Sequence, residues 1–166
     1  MAGGPSSCSS FCSSSDPKFL ADIMLGSLAR WLRILGYDTA YDNRIDDDEI
    51  IERCHRESRI ALTRDRRLTQ RSRLRGCLLI EREELFEQIR EVLQAIGHEI
   101  DLNQLLCRCL ECNSLLESVD KERIRLQVPA YVFKTQSHFK RCPGCQRIYW
   151  GGTHRRNIYQ RLKTRL

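Results

Sequence analysis

The sequence predicts an α/β fold with a central parallel sheet, followed by a small β-rich module. Two observations carry this. Between residues 18 and 96, short apolar strand-like runs alternate with amphipathic helix-like stretches, as expected for helices covering both faces of a parallel sheet. Beyond about residue 105 the alternation stops, and paired cysteines, Pro, Gly and basic residues take over.

Taken in order, residues 1–17 hold seven Ser with Gly and Pro and read as a disordered tail. Lys18–Ala21 is a strand. A helix follows, with Met24, Leu28, Trp31, Leu32 and Leu35 at three- and four-residue steps and Gly36 as its stop. Tyr37–Tyr41 is the second strand. Asp46, Asp47, Asp48 and Glu49 then open a helix carrying Ile50, Ile51 and Cys54, where acids suit both the cap and the helix dipole. Arg59–Thr63 and Gly76–Ile80 are the third and fourth strands, separated by a polar segment with six arginines. A long amphipathic helix runs from about Glu83 to Ile96, with Gly97 as its stop. Residues 98–106 form a connector. In the second module the stretches RIRLQV, AYVFK and RIYW read as β-structure.

At 166 residues with 41% hydrophobic and 30% charged residues, the chain is globular, one domain or one domain plus a small module. After residue 15 no uncharged run exceeds eight residues, far short of the 18–20 of a membrane span. The net charge of +6 is unevenly divided. Residues 123–166 carry eleven Lys or Arg and no Asp or Glu, which leaves residues 1–122 with 17 basic and 22 acidic residues, a balance of −5. A basic end joined to an acidic body points to phosphate as its partner, in nucleic acid or on an anionic membrane, and nucleic acid is the preferred reading.

Of nine cysteines, Cys109/Cys112 and Cys142/Cys145 form two Cys-x-x-Cys pairs. The N-terminus has neither the basic start nor the apolar stretch of a secretory signal, so the thiols are expected to stay reduced in the cytoplasm. Two such turns facing one ion make a closed tetrahedral zinc site of structural type. Cys107-x-Cys109 is a rival pair of less usual spacing. The 29 residues between Cys112 and Cys142 are expected to form a long β-hairpin.

In an open parallel sheet, ligands gather at the carboxyl ends of the strands. Asp22, Asp42 and Asp65 each follow a strand, and the cluster Asp46–Glu49 could lean over the same edge. Converging carboxylates repel one another without a cation, and Mg²⁺ or Mn²⁺ suits oxygen ligands. Such an ion can activate water and offset charge on a phosphate during hydrolysis. The plainer alternative is that each Asp caps a helix.

The stretch FLADIMLGSLARWLRILGYDTAYD, followed by DDDEIIERCHRESRIALTRDRRL, resembles the PIN-like RNases of the Mut-seven C-terminal type. The segments RCLECN and CPGCQRIYWGGTH resemble the zinc ribbon that accompanies that domain, so the likeness runs from about Lys18 to Asn157. It implies a three-layer PIN-like domain and metal-dependent cleavage of RNA. The D-x-M-L aspartate falls on Asp22, the acid of the D-x-E motif on Asp47 with Glu49 in reserve, and the T-R-D acid on Asp65. A fourth acid, common in PIN nucleases, has only Glu81, Glu83 or Glu84 to match it.

The resulting division is a tail over 1–17, an RNase domain over 18–105, a zinc ribbon over 106–157 and a basic tail over 158–166. Arg30 and Arg33, just beyond Asp22, are candidates for receiving a phosphate, since guanidinium forks match its geometry. On the ribbon, Lys140, Arg141, Arg147, His154, Arg155 and Arg156 interleave with Tyr149 and Trp150, a mixture suited to single-stranded RNA. Alternatively the two aromatics belong to the ribbon's own core. The RNase domain, with a separate core, is expected to stay folded without zinc. The expected partner is RNA, with no membrane. The competing reading is a nucleic-acid-binding regulator that does not cut.

Overall fold

The computed structural model describes residues 16–71, 73, 74 and 76–166, the side chains of Thr153 and His154 excepted. The tail assigned to residues 1–17 lies, up to residue 15, outside the described residues.

Four parallel strands make the main sheet: β1 (Lys18–Ala21), β2 (Thr39–Tyr41), β3 (Arg59–Thr63) and β4 (Cys77–Leu79), in the order β2-β1-β3-β4. Successive side chains along a strand point to opposite faces, and the burial follows that alternation. Phe19, Ala21 and Leu62 enter one core with Leu28 and Leu32 of α1 (Gly26–Ile34) and Ile89 and Val92 of α4 (Leu85–Ile96). Leu20 and Ala61 enter the other with Ile50 and Ile51 of α2 (Asp47–Glu57) and Leu68 of α3 (Arg66–Thr69). Helix, sheet and helix thus form three layers, as the alternating pattern predicts.

The acids that open the helices do local work. Asp46 caps α2, its Oδ1 accepting from the Glu49 amide at 2.9 Å, with Asp47, Asp48 and Glu49 in the first turn. Glu84 caps α4 by accepting from the amides of Phe86 and Glu87 at 2.8 and 3.0 Å.

The second module holds an antiparallel sheet of β5 (Glu117–Val119), β6 (Phe139–Arg141) and β7 (Ile148–Trp150), in that order. Three expectations are corrected here. RIRLQV is not a strand, being a single 3-10 turn at Glu122–Ile124 with irregular chain after it. AYVFK is not a strand either, since Ala130–Thr135 forms a helix, α5. The segment between the cysteine pairs is consequently no simple hairpin. The physical reason is a four-residue spacing: Ile124, Val128 and Val132 lie on one side of the chain and bury together against Phe139. Pro129, at the position before the helix with φ −58°, is pre-set for helix entry.

The chain's last element is helix α6 (Thr153–Arg165), which crosses the boundary drawn at 157. Residues 158–166 are not a free tail, because Leu162, 4% exposed, sits in the core beside α1 and α4, with Ile158 packed against it. Among the described residues, no helix is long and apolar enough to cross a membrane.

Candidate functional site

Asp22 follows β1 directly and Asp65 follows β3 by one residue, so both stand at the carboxyl edge of adjacent central strands. Asp22 turns the chain into a 3-10 turn, its Oδ1 accepting from the Ile23 amide at 2.6 Å. Asp65 caps α3, its Oδ1 accepting from the Arg67 amide at 2.7 Å. Each acid therefore does cap a helical turn, as the plainer reading has it. They are also joined. The fully buried Thr63 donates its hydroxyl to Asp22 Oδ2 at 2.7 Å, and Thr63 Oγ1 in turn accepts from the Asp65 amide at 2.9 Å.

Asp47 opens α2, the helix after β2, and its nearest charged partner is Arg71 Nη2 at 3.8 Å. Arg71 is pulled further toward Asp48, at 2.7 Å. Asp42 accepts from the Arg44 amide, and Glu81 pairs with Arg66 at 2.8 Å. Among the described residues, no three carboxylates bring oxygens within 4.8 Å of one another. Asp22 and Asp65 are linked through Thr63; Asp47 stays with its arginine. Asp22 is half-buried and Asp65 exposed, and an all-oxygen donor set suits a hard dication.

Tyr41 and Thr63 are absent from the residues that sequence reasoning selected. The Tyr41 hydroxyl donates to the Ile23 carbonyl at 3.0 Å, holding the turn that carries Asp22. A Cβ on Gly26 would come within 2.8 Å of that hydroxyl, so glycine is what lets the ring close over the turn. Burial together with the Asp22 charge pushes the Cys77 thiol up to about 11, and burial pushes Cys54 to about 11. Neither is an activated nucleophile.

The four paired cysteines converge. The sulfurs of Cys109, Cys112, Cys142 and Cys145 all lie within 4.8 Å of one another, and Cys107 is not of their number. Two closest separations, 3.5 Å for Cys109–Cys145 and 3.2 Å for Cys112–Cys142, approach the ~3.8 Å expected between thiolates around tetrahedral zinc. Both turns have the same local build. The fourth residue's amide points back at the first sulfur, Cys112 N to Cys109 Sγ at 3.5 Å and Cys145 N to Cys142 Sγ at 3.4 Å. The next residue is left-handed in each, Asn113 at φ 69° and Gln146 at φ 62°. A Cβ on Gly144 would stand 3.3 Å from Cys112 Sγ and 2.8 Å from Ser114 Oγ, so the cradle closes only over glycine. Although burial opposes it, hydrogen bonds from Ser114 hold the Cys112 thiol down to about 6. Donor type, spacing and backbone all fit zinc. Tyr149 belongs to this site, its hydroxyl 3.1 Å from Cys109 Sγ.

The first cysteine turn is also fastened to the sheet domain, and Arg33 is the main fastener. Arg33 is 5% exposed, so it does not face solvent as a phosphate receiver would. Its Nε donates to the Thr39 carbonyl at 2.8 Å, and its Nη1 to the carbonyls of Leu110 and Glu111 at 2.8 and 2.9 Å. Asn113 adds two bonds to the edge of β2, accepting from the Thr39 amide at 3.1 Å and donating to Asp38 Oδ1 at 2.7 Å. Despite burial, Arg59 and Asn113 hold the Asp38 carboxyl below the usual range.

The remaining basic candidates differ in what they already hold. Arg30 and Arg147 share Glu111 Oε1, at 3.8 and 3.5 Å. Lys140 reaches the Leu106 carbonyl at 3.4 Å, and Arg141 donates to Gln127 at 3.0 Å. Arg155 and Arg156 are exposed on α6, while the His154 side chain lies outside the described residues. Trp150 is 40% exposed.

A three-layer α/β domain with linked acids at its sheet edge, joined to a four-thiolate centre of zinc-ribbon type, is the architecture to be matched. The chain belongs to the Mut7-C RNAse domain family, whose model matches residues 17–162. No curated protein and no solved structure matches it significantly. The family's activity class is that of an RNase-type nuclease.

Proposed function

We propose that the protein is a divalent-metal-dependent ribonuclease that hydrolyses RNA phosphodiester bonds at the carboxyl edge of its parallel sheet. The observation that carries this is the Thr63 bridge, which links Asp22 and Asp65 at the carboxyl edge of the sheet, within the residues the family model matches. Asp22 and Asp65, with Asp47 at the rim, are the residues to hold Mg²⁺ or Mn²⁺. Such an ion supplies a lowered water pKa and positive charge beside the phosphate. Thr63 and Tyr41 fix the direction of the Asp22 carboxylate. The zinc held by Cys109, Cys112, Cys142 and Cys145 has no open position, so its contribution is structural. The ribbon assists RNA binding through Lys140, Arg141, Arg147, Arg155 and Arg156, with Arg30 on α1 as a further contact. Reduced paired thiols fit the cytoplasm.

The test is cleavage of labelled RNA in Mn²⁺ or Mg²⁺. Wild type should cut, and Asp22→Asn or Asp65→Asn should lose activity by a factor of about a hundred or more while binding is kept. Asp47's engagement with Arg71 favours a second reading, a nucleic-acid-binding regulator without cleavage. RNA binding by wild type with no cutting in either metal would establish that reading and overturn the first.

A further inference from the structure

Several cations of the RNase domain and the cysteine turns are already neutralised. Arg30 and Arg147 hold Glu111, Arg66 holds Glu81, Arg71 holds Asp47 and Asp48, and Arg59 holds Asp38. Helix α6 concentrates its cations in one element without an acid. It carries Arg155, Arg156, Arg161, Lys163 and Arg165 and no acid, and among the described residues none of these is paired with a carboxylate. Its first half borders an open groove of about 680 Å³, lined by Arg155, Arg156, Tyr159, Gln160 and, from the end of α5, Gln136. Tyr159 is 44% exposed, and Gly151 and Gly152 are also among the lining residues. The second half is anchored through Leu162, so the groove's wall is fixed in place.

We propose that this groove binds single-stranded RNA, with phosphates at Arg155 and Arg156, a base against the ring of Tyr159, and base edges within reach of Gln136 and Gln160. Its open shape suits an extended polymer better than a small molecule. Two unneutralised guanidinium forks complement a polyanion. An exposed ring and two carboxamides have partners in a strand whose bases are splayed out, whereas an A-form duplex keeps its base faces stacked away. The proposal rests on the ribonuclease reading for the identity of the polyanion, and it adds that the substrate is taken as a single strand.

The test uses the full zinc-loaded chain carrying Asp22→Asn, so that nothing is cut. Binding of a fluorescent single-stranded oligoribonucleotide and of an RNA hairpin stem is titrated at several salt concentrations. Arg155→Gln with Arg156→Gln should weaken single-strand binding at least tenfold. It should also lower the slope of log affinity against log salt by about 1.4, the share of two phosphate contacts. Tyr159→Ala should weaken single-strand binding about tenfold and leave the stem unaffected. Lys163→Gln, beyond the groove, should change either by much less. Unchanged thermal unfolding would show that the variants fold. Wild-type affinity and slope in the double variant, or equal loss for strand and stem in Tyr159→Ala, would overturn the proposal. Because binding is read on a chain that does not cut, failure of wild type to cleave RNA would overturn the nuclease reading and leave this result standing.

Discussion

The hydroxyl of Thr63 serves two acids at once, donating to Asp22 and accepting from the amide of Asp65. Thr63→Val keeps the shape and removes both bonds, leaving a part-buried amide without a partner at a cost of about 1–3 kcal/mol. If Asp22 acts in cleavage, its carboxylate loses its fixed direction, and kcat should fall about tenfold or more with KM nearly unchanged. Thr63→Ser, which keeps the hydroxyl, should restore kcat. A Val variant with wild-type kcat would show that the bridge is structural only. The sequence displays Thr63 inside the T-R-D motif, but nothing local tells that its hydroxyl faces Asp22, 41 residues away. Arg33 is a similar case. On the helix it reads as a surface cation near Arg30, because the carbonyls that claim it lie 77 and 78 residues further along the chain. Residue types and spacing revealed the acids and the sulfurs; partners remote in sequence decided which side chains are free.

At the scale of elements, the four strands and the α1, α2 and α4 helices were legible because each has an apolar period and a stop or cap of its own. The ribbon was harder. Its cysteine turns announce themselves by spacing, but short segments rich in Val, Ile and Tyr carry strand propensity, which the four-residue spacing of Ile124, Val128 and Val132 overrides. Helix α6 was missed because its buried contact to the sheet domain is little more than Leu162 on an otherwise polar helix. The fastening of the first cysteine turn also revises the expectation that the sheet domain is indifferent to zinc. Cys109→Ser should lower the stability of the sheet domain by about 3 kcal/mol, since the carbonyls that Arg33 holds belong to the turn between two of the four cysteines that could hold zinc. Amide hydrogen exchange in β1 and β3 would read this directly. Unaltered protection there would mean the two modules are energetically separate.

Across the whole molecule, charge and architecture do not divide at the same place. The basic end over 123–166 includes a helix whose Leu162 completes the core of the acidic body, so removing residues 107–166 would strip out apolar packing along with charge. Charge-neutralising substitutions on intact protein are the cleaner comparison. The fixing of Asn113 to the amide of Thr39 has a further meaning. β2 is an outer strand of the main sheet, and an outer strand with open amides is a template on which a second chain can add. The cysteine turn lies along that border and occupies one of its donors. Stripping zinc with a strong chelator should therefore do more than loosen the ribbon: it should leave a sticky border and drive the protein into larger species. Light scattering or sedimentation before and after chelation would detect them, with recovery of the starting size on returning zinc before the association matures. A chelated protein that keeps its original size would show that β2 is guarded by something other than the metal-bound turn. On this view the ion guards solubility by keeping one chain's sheet from continuing into the next.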